Sequence, residues 1–233
     1  ESHDEKVRRA TGKFYSSEEM EQSIRFALDQ GGSKFDVFFM IGLPQQTPGS
    51  VRETMDYCEH LLKTFDRRLN PFISPLAPFL DPGSIGYEKA DEVGYRVFCK
   101  TLEDYRKALL APSWKYTLSY ETRWMTRDDI VQSSYEAGLR LNRLKEKYGL
   151  LGKATAERTE KRILLAREMI GRVDEIILLP EPERAEKLLA LKETFDRVSM
   201  STVCDKEEIK WPVFRWRLNF PNILRAIFQR HRV

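Results

Sequence analysis

Cysteine and histidine are scarce in this chain. It has three of each among 233 residues, and they are far apart: Cys58, Cys99, Cys204, His3, His60 and His231. An odd number of widely spaced cysteines argues against a disulfide framework, and neither residue type shows the spacing of a zinc or iron–sulfur site. The usage of cysteine leads us to expect a reducing compartment, the cytoplasm.

Several other signatures are missing as well. The sequence contains no Gly-x-Ser-x-Gly elbow, no P-loop and no Gly-x-Gly-x-x-Gly fingerprint, which argues against a serine hydrolase and the common nucleotide folds. No apolar run approaches the roughly 20 residues that span a bilayer, and the polar first residues show no signal-peptide pattern. The net charge of +3 is too small to indicate nucleic-acid binding by itself.

What the sequence does contain is an alternation of helical and strand patterns over residues 16–79. Ser16 to Glu19 open a helix that ends at Gly31, and the apolar run Phe35–Ile41 reads as a buried strand. Thr47 and Pro48 begin a second helix, and Asn70–Phe79 reads as a second strand. Such an alternation indicates parallel strands that are joined by right-handed crossovers.

Helical patterns dominate the rest of the chain. We predict helices at Val97–Leu110 and Arg127–Tyr148, separated by an aromatic and polar loop at Ala111–Arg123. A glycine-rich break near residue 150 predicts a domain boundary, with one domain at 1–150 and a helical extension at 151–233. Within the extension, Ala154–Val173 and Pro182–Val198 are expected to form an antiparallel hairpin.

The last segment, residues 209–233, is aromatic and basic and contains no acid. A basic amphipathic helix can bind anionic lipid or nucleic acid, which leaves a membrane or RNA contact open. The other interpretation is a terminal helix whose aromatic side docks onto the protein. If the segment binds membrane or RNA, deleting residues 209–233 should weaken pelleting with liposomes or RNA at low salt, and no change would reject that binding.

The stretch Phe38–Thr47, with the sequence FFMIGLPQQT, resembles the fifth-strand motif of radical S-adenosylmethionine enzymes. Glu1–Arg9 resembles the exit of the fourth strand of that superfamily, and Pro71–Ser84 resembles the sixth strand and its exit loop. Trp114–Met125 is similar to members that carry an N-terminal cobalamin-binding domain. The resemblance covers about residues 1–150.

This resemblance implies a partial (β/α) barrel of parallel strands with a mainly helical C-terminal extension. It implies an enzyme that uses S-adenosylmethionine, a four-iron cluster (4Fe-4S) and cobalamin to abstract hydrogen from a small-molecule substrate, with methyl transfer as one outcome. The superfamily holds its cluster through Cys-x-x-x-Cys-x-x-Cys, which is missing here. We therefore expect this chain to be the C-terminal part of a longer enzyme, inactive and without cofactors when alone.

The resemblance also assigns cofactor contacts. Met40 is expected to contact the adenine, Gly42 to let the backbone approach the cofactor, and Leu43 and Pro44 to shape the loop. Ser2 is expected to contact the ribose. The alternatives are an ordinary core side chain for Met40 and a frayed terminus for Ser2.

Substrate contacts are expected from two loops, because barrel enzymes draw their specificity from the loops after the strands. They are Ser74, Pro75, Pro78 and Asp81 after the second strand, and Tyr120, Glu121, Trp124 and Arg127 later. The alternative is that the aromatic side chains cover the core and that Glu121 pairs with Arg123 or Arg127.

A noncatalytic binding or scaffolding module remains open as a different class of function. The gene upstream of Glu1 discriminates the two, because the enzyme requires a cluster motif and a cobalamin-type domain there. A half barrel would also leave a sheet edge with unpaired backbone groups. We therefore expect this chain to self-associate through that edge or to cover it with a helix.

Overall fold

The computed structural model describes residues 1–75 and 79–198. The chain divides into two compact units, residues 1–191 and 192–233. The domain boundary predicted near residue 150 stays a prediction. The aromatic, basic segment 209–233 lies outside the described residues.

The fold is mixed α/β and mainly helical. The strands are β1 Phe35–Ile41, β2 Leu69–Pro75, β3 Tyr95–Val97 and β4 Tyr120–Thr122. The helices are α1 Glu5–Ala10, α2 Ser17–Asp29, α3 Pro48–Phe65, α4 Ile85–Glu88, α5 Ala90–Val93, α6 Leu102–Leu109, α7 Trp114–Thr117, α8 Arg127–Lys147, α9 Lys153–Ile176 and α10 Glu183–Val198. None of the described helices is long and apolar enough to cross a membrane.

Local capping explains where the longer helices begin. Ser16 and Glu19 form a capping box at the start of α2, and Thr47 and Ser50 form one at the start of α3. Reciprocal bonds of this kind satisfy backbone N–H groups that have no partner inside the helix. The predicted starts of these two helices are therefore confirmed.

Strands β1 and β2 pair in parallel, with Phe35 opposite Leu69 and Ile41 opposite Pro75. Because side chains alternate along a strand, the pair has two different faces. One face is covered: Val37, Phe39 and Ile41 are buried with helices α2, α3 and α8 in the main core. The other face, which we call the open face, consists of Asp36, Phe38, Met40, Asn70, Phe72 and Ser74.

A third segment of backbone pairs with the free edge of β1. The α-amino group of Glu1 donates to Phe38 O at 2.9 Å, and Met40 N donates to Glu1 O at 2.8 Å. Glu1 therefore bonds to Phe38 and Met40, the residues on the two sides of Phe39. In a parallel ladder, one residue bonds in this way to two residues of the neighbouring strand. Glu1 therefore occupies the position of a parallel strand on the side of β1 opposite to β2.

The segment after residue 79 differs from its prediction. The helix expected over Val97–Leu110 is shorter, because β3 precedes it and α6 spans only Leu102–Leu109. The loop expected over Ala111–Arg123 contains the short helix α7 and strand β4. β3 and β4 pair in antiparallel fashion, which the prediction of parallel strands did not include. Three-residue strands carry too little periodicity to be read from sequence.

Helices α8 and α9 pack on each other, and α8 also contacts α3 and β2. Asn142 of α8 is buried and donates to Ala156 O of α9 at 2.8 Å. Lys115 of α7 donates to Asp128 of α8 and to Asp174 of α9, both at 2.8 Å. These contacts attach the first part of the predicted extension to the α/β part of the chain.

Candidate functional site

The candidate site is the loop at the carboxyl end of β1, which the Gln46 side chain holds together. Gln46 is fully buried, and its amide oxygen accepts from Gly42 N at 2.8 Å and from Leu43 N at 3.2 Å. Its amide nitrogen donates to Met40 O at 2.9 Å. Gln46 therefore takes the place of a neighbouring strand at the end of the β1 edge. Leu43 and Pro44 are both buried in this loop.

Gly42 has a positive φ of 91°, a conformation that glycine adopts without strain. A methyl group at this position would lie 2.9 Å from the Tyr120 hydroxyl oxygen and 3.4 Å from Ile130 Cδ1. In the described structure, the close approach that Gly42 permits is thus to Tyr120. The expected approach to a cofactor stays a prediction.

Met40 and Ser74 are brought together by the register. They are opposite each other near the carboxyl ends of β1 and β2, on the open face. Met40 is half-buried and Ser74 is exposed. Strand ends and their loops are where α/β folds bind ligands, so this pair joins a predicted cofactor contact to a predicted substrate contact.

Ser2 is 3% exposed and packs against the protein. Its hydroxyl accepts from Asp4 N at 3.2 Å, just before α1. Arg8, also 3% exposed, donates from Nη1 to Ser2 O and from Nε to Tyr15 O. The guanidinium thus orders the first residues through backbone carbonyls, a role that the sequence did not suggest.

The open face is apolar in its middle. Phe38 is 58% exposed, and its ring stacks on Phe72 with centroids 4.9 Å apart. At the amino end, Asn70 Nδ2 donates to Asp36 Oδ1 at 3.1 Å. The Lys145 ammonium lies 4.0 Å from the centroid of the Phe72 ring.

Lys145 is an unusual cation in this setting. Burial, and then repulsion from the Lys34 ammonium, lower the pKa of Lys145 to about 8. Asp36 acts in the opposite direction but more weakly. A lysine pKa that burial lowers this far indicates a poorly hydrated environment beside the open face.

The later candidate residues lie on and beside the antiparallel ribbon of β3 and β4. Tyr120 is fully buried, with its ring edge-to-face against Tyr95 at 5.3 Å. Tyr120 therefore packs in the core, and its expected contact with a substrate stays a prediction. Trp124 is 37% exposed and lies against Gly94.

Glu121 accepts from Arg96 Nη1 at 3.0 Å, whereas the alternative interpretation paired it with Arg123 or Arg127. Arg127 instead stacks on Phe98, with its guanidinium carbon 3.7 Å from the ring centroid. The register of β3 and β4 explains the difference, because it places Arg96 directly opposite Glu121.

The remaining predicted residues are scattered. Pro75 is half-buried at the end of β2, and Asp81 is exposed and accepts from Ser84 N through its backbone oxygen. Pro78 lies outside the described residues. Within 1–75 and 79–198, no group of three His, Cys, Asp or Glu side chains is placed to hold a metal ion.

Comparison of this chain with protein-family models, with curated proteins and with solved structures found no match.

Proposed function

We propose that this chain is the C-terminal part of a cobalamin-dependent radical S-adenosylmethionine enzyme and supplies the adenine-binding side of its barrel. The observation that carries the proposal is the pairing of Glu1 with β1. It supports a strand order of Glu1 segment, β1 and β2, all parallel, which is the order of consecutive strands in a (β/α) barrel.

The two faces of the sheet support the same proposal. Helices cover one face, as in the outer ring of a barrel, and the open face has the apolar residues Phe38 and Phe72 at its centre. Exposed aromatic surface of this kind is costly in water. Further strands of the same polypeptide, contributed from upstream of Glu1, would cover it as a barrel interior. Without them, self-association of this chain through its sheet edge, or cover of that edge by a helix, stays our prediction.

In the proposed enzyme, Met40 contacts the adenine from the open face, and the loop held by Gln46 keeps the end of β1 in place. Ser74, opposite Met40, faces the substrate. When bound, S-adenosylmethionine together with an upstream cluster would supply the radical chemistry that removes hydrogen from the substrate. The residues of this chain bind and orient S-adenosylmethionine and the substrate, and they exclude water.

The first test is the gene sequence upstream of the codon for Glu1. A Cys-x-x-x-Cys-x-x-Cys segment preceded by a cobalamin-type domain upstream of Glu1 is the expected result. A start codon immediately before Glu1 would contradict the enzyme and favour a noncatalytic binding module.

The second test uses the full polypeptide, reconstituted anaerobically with iron and sulfide and supplied with dithionite as the reductant. We expect it to release 5′-deoxyadenosine from S-adenosylmethionine. Met40→Glu should weaken binding of S-adenosylmethionine by about tenfold or more, because it places a charge against the adenine. Met40→Leu should bind nearly normally. Leu102→Glu is the control, since Leu102 is 89% exposed. Equal binding by Met40→Glu and Leu102→Glu would overturn the assignment of Met40.

A further inference from the structure

The ribbon of β3 and β4 presents a second cluster, which includes Glu121 and Arg127, two of the residues expected to contact substrate. Side chains alternate along a strand, so Glu121 points away from the side on which Tyr120 is buried. Arg96 lies opposite Glu121, and its guanidinium carbon is 5.2 Å from the centroid of the Phe98 ring. The Arg127 guanidinium lies closer to the same ring, at 3.7 Å. Two guanidinium groups therefore share one aromatic side chain.

The acids around Arg127 are all engaged with other groups. Glu121 bonds to Arg96, Asp128 bonds to Lys115 at 2.8 Å, and Asp129 accepts from Thr126 N at 2.9 Å. Among the described side chains, none forms an ion pair or hydrogen bond with Arg127. Its Nε is fully buried and lacks a hydrogen-bond partner.

An arginine in this position is expected to have a partner. A guanidinium stays charged in proteins and carries five N–H donors, and a buried donor without an acceptor costs about 1–3 kcal/mol. Burial also lowers the pKa of Arg127 from its usual range. Stacking on Phe98 orients the guanidinium plane but satisfies none of its donors.

We propose that Arg127, with Arg96 and Phe98 beside it, binds a carboxylate or phosphate group of a ligand. The Phe98 ring holds the Arg127 guanidinium in one plane, and two parallel N–H···O bonds from Nη1 and Nη2 to one anionic group match that geometry. Arg96 adds positive charge, which Glu121 balances. The site depends only on side chains of this chain, so it does not rest on the proposed barrel.

Isothermal titration of this chain with inorganic phosphate, and separately with succinate, tests the proposal at fixed ionic strength. We expect saturable binding of at least one anion. Binding of phosphate alone assigns the site to phosphate-bearing ligands, and binding of succinate alone assigns it to carboxylates. The absence of saturable binding by either anion would overturn the proposal.

Matched variants locate the binding. Arg127→Gln should weaken it by about tenfold or more, the loss expected for a charge-assisted bidentate contact. Arg127→Lys should recover only part, because lysine keeps the charge but loses the fork. Arg106→Gln is the control of equal charge change, since Arg106 pairs with its own partner, Glu103. The same dissociation constant in Arg127→Gln and wild type would also overturn the proposal. Circular dichroism of each variant confirms that it is folded.

Discussion

Replacing Gly42 by alanine should destabilise this chain through two separate effects. The first is the backbone: φ is +91°, and a non-glycine residue in the left-handed region costs about 1–2 kcal/mol. The second is crowding, because the new methyl group would lie 2.9 Å from the Tyr120 hydroxyl oxygen. Overpacking a buried site typically costs about 1–3 kcal/mol. The free energy of unfolding should therefore fall by about 2–5 kcal/mol.

Gly83 provides the matched control. Its φ of +87° is nearly the same, but a methyl group there would meet nothing within 4 Å. Gly83→Ala should therefore show the backbone cost alone, about 1–2 kcal/mol. The difference between the two variants isolates the contact with Tyr120. That ring is fully buried, so a shift that relieved the contact would disturb the packing around it.

The assay is urea unfolding followed by circular dichroism, with the m-value compared between variants. In a double-mutant cycle, Gly42→Ala should lower the free energy of unfolding less in the Tyr120→Phe background than in wild type, because removing the hydroxyl relieves the closest contact. Only partial recovery is expected, since the Tyr120 ring carbon Cε2 would still be 3.4 Å away. If Gly42→Ala costs no more than Gly83→Ala, the reasoning is refuted, and the glycine is required only by its φ.

Two further predictions concern the same end of the sheet and the open face. Gln46→Ala should lower the free energy of unfolding by about 2 kcal/mol or more, because Met40 O and two N–H groups lose their buried partner. Gln45→Ala is the control, since the Gln45 side chain is exposed. Equal losses of stability in the two variants would contradict the prediction. Lys145 has a pKa of about 8 in the folded chain against an ordinary value of 10.5, so the unfolded chain binds more protons between these values. Wild type should then gain stability relative to Lys145→Met as the pH rises through that window, and parallel stability curves in denaturant melts would refute the shift.

The sequence patterns whose predictions were confirmed are local ones. Phe35–Ile41 is an uninterrupted apolar run, and it forms β1 over those residues. Thr47, Pro48 and Ser50 lie within one turn of each other, and they start α3 as expected. Because caps and apolar runs act over a few neighbouring residues, they can be read without knowing the fold.

The candidate site was harder to predict, because its contacts join residues that are far apart in the chain. Tyr120 lies beside Gly42, although the two residues are 78 positions apart in the chain. No local sequence pattern predicts such a contact. Gln46 was missed because a single glutamine after a strand has no distinctive spacing. A buried amide that bonds three backbone groups becomes visible only once the loop is folded.

The sequence by itself determined the α/β alternation of the first 75 residues and the starts of the longer helices. The family resemblance of the β1 segment stays a prediction. Only the tertiary structure decided that Glu1 continues the sheet, that Phe38 on the open face is exposed and that none of the described side chains forms an ion pair with Arg127. The physical reason is that helices and strands follow from short-range periodicity and capping, whereas strand neighbours, burial and ion pairing depend on which distant segments meet.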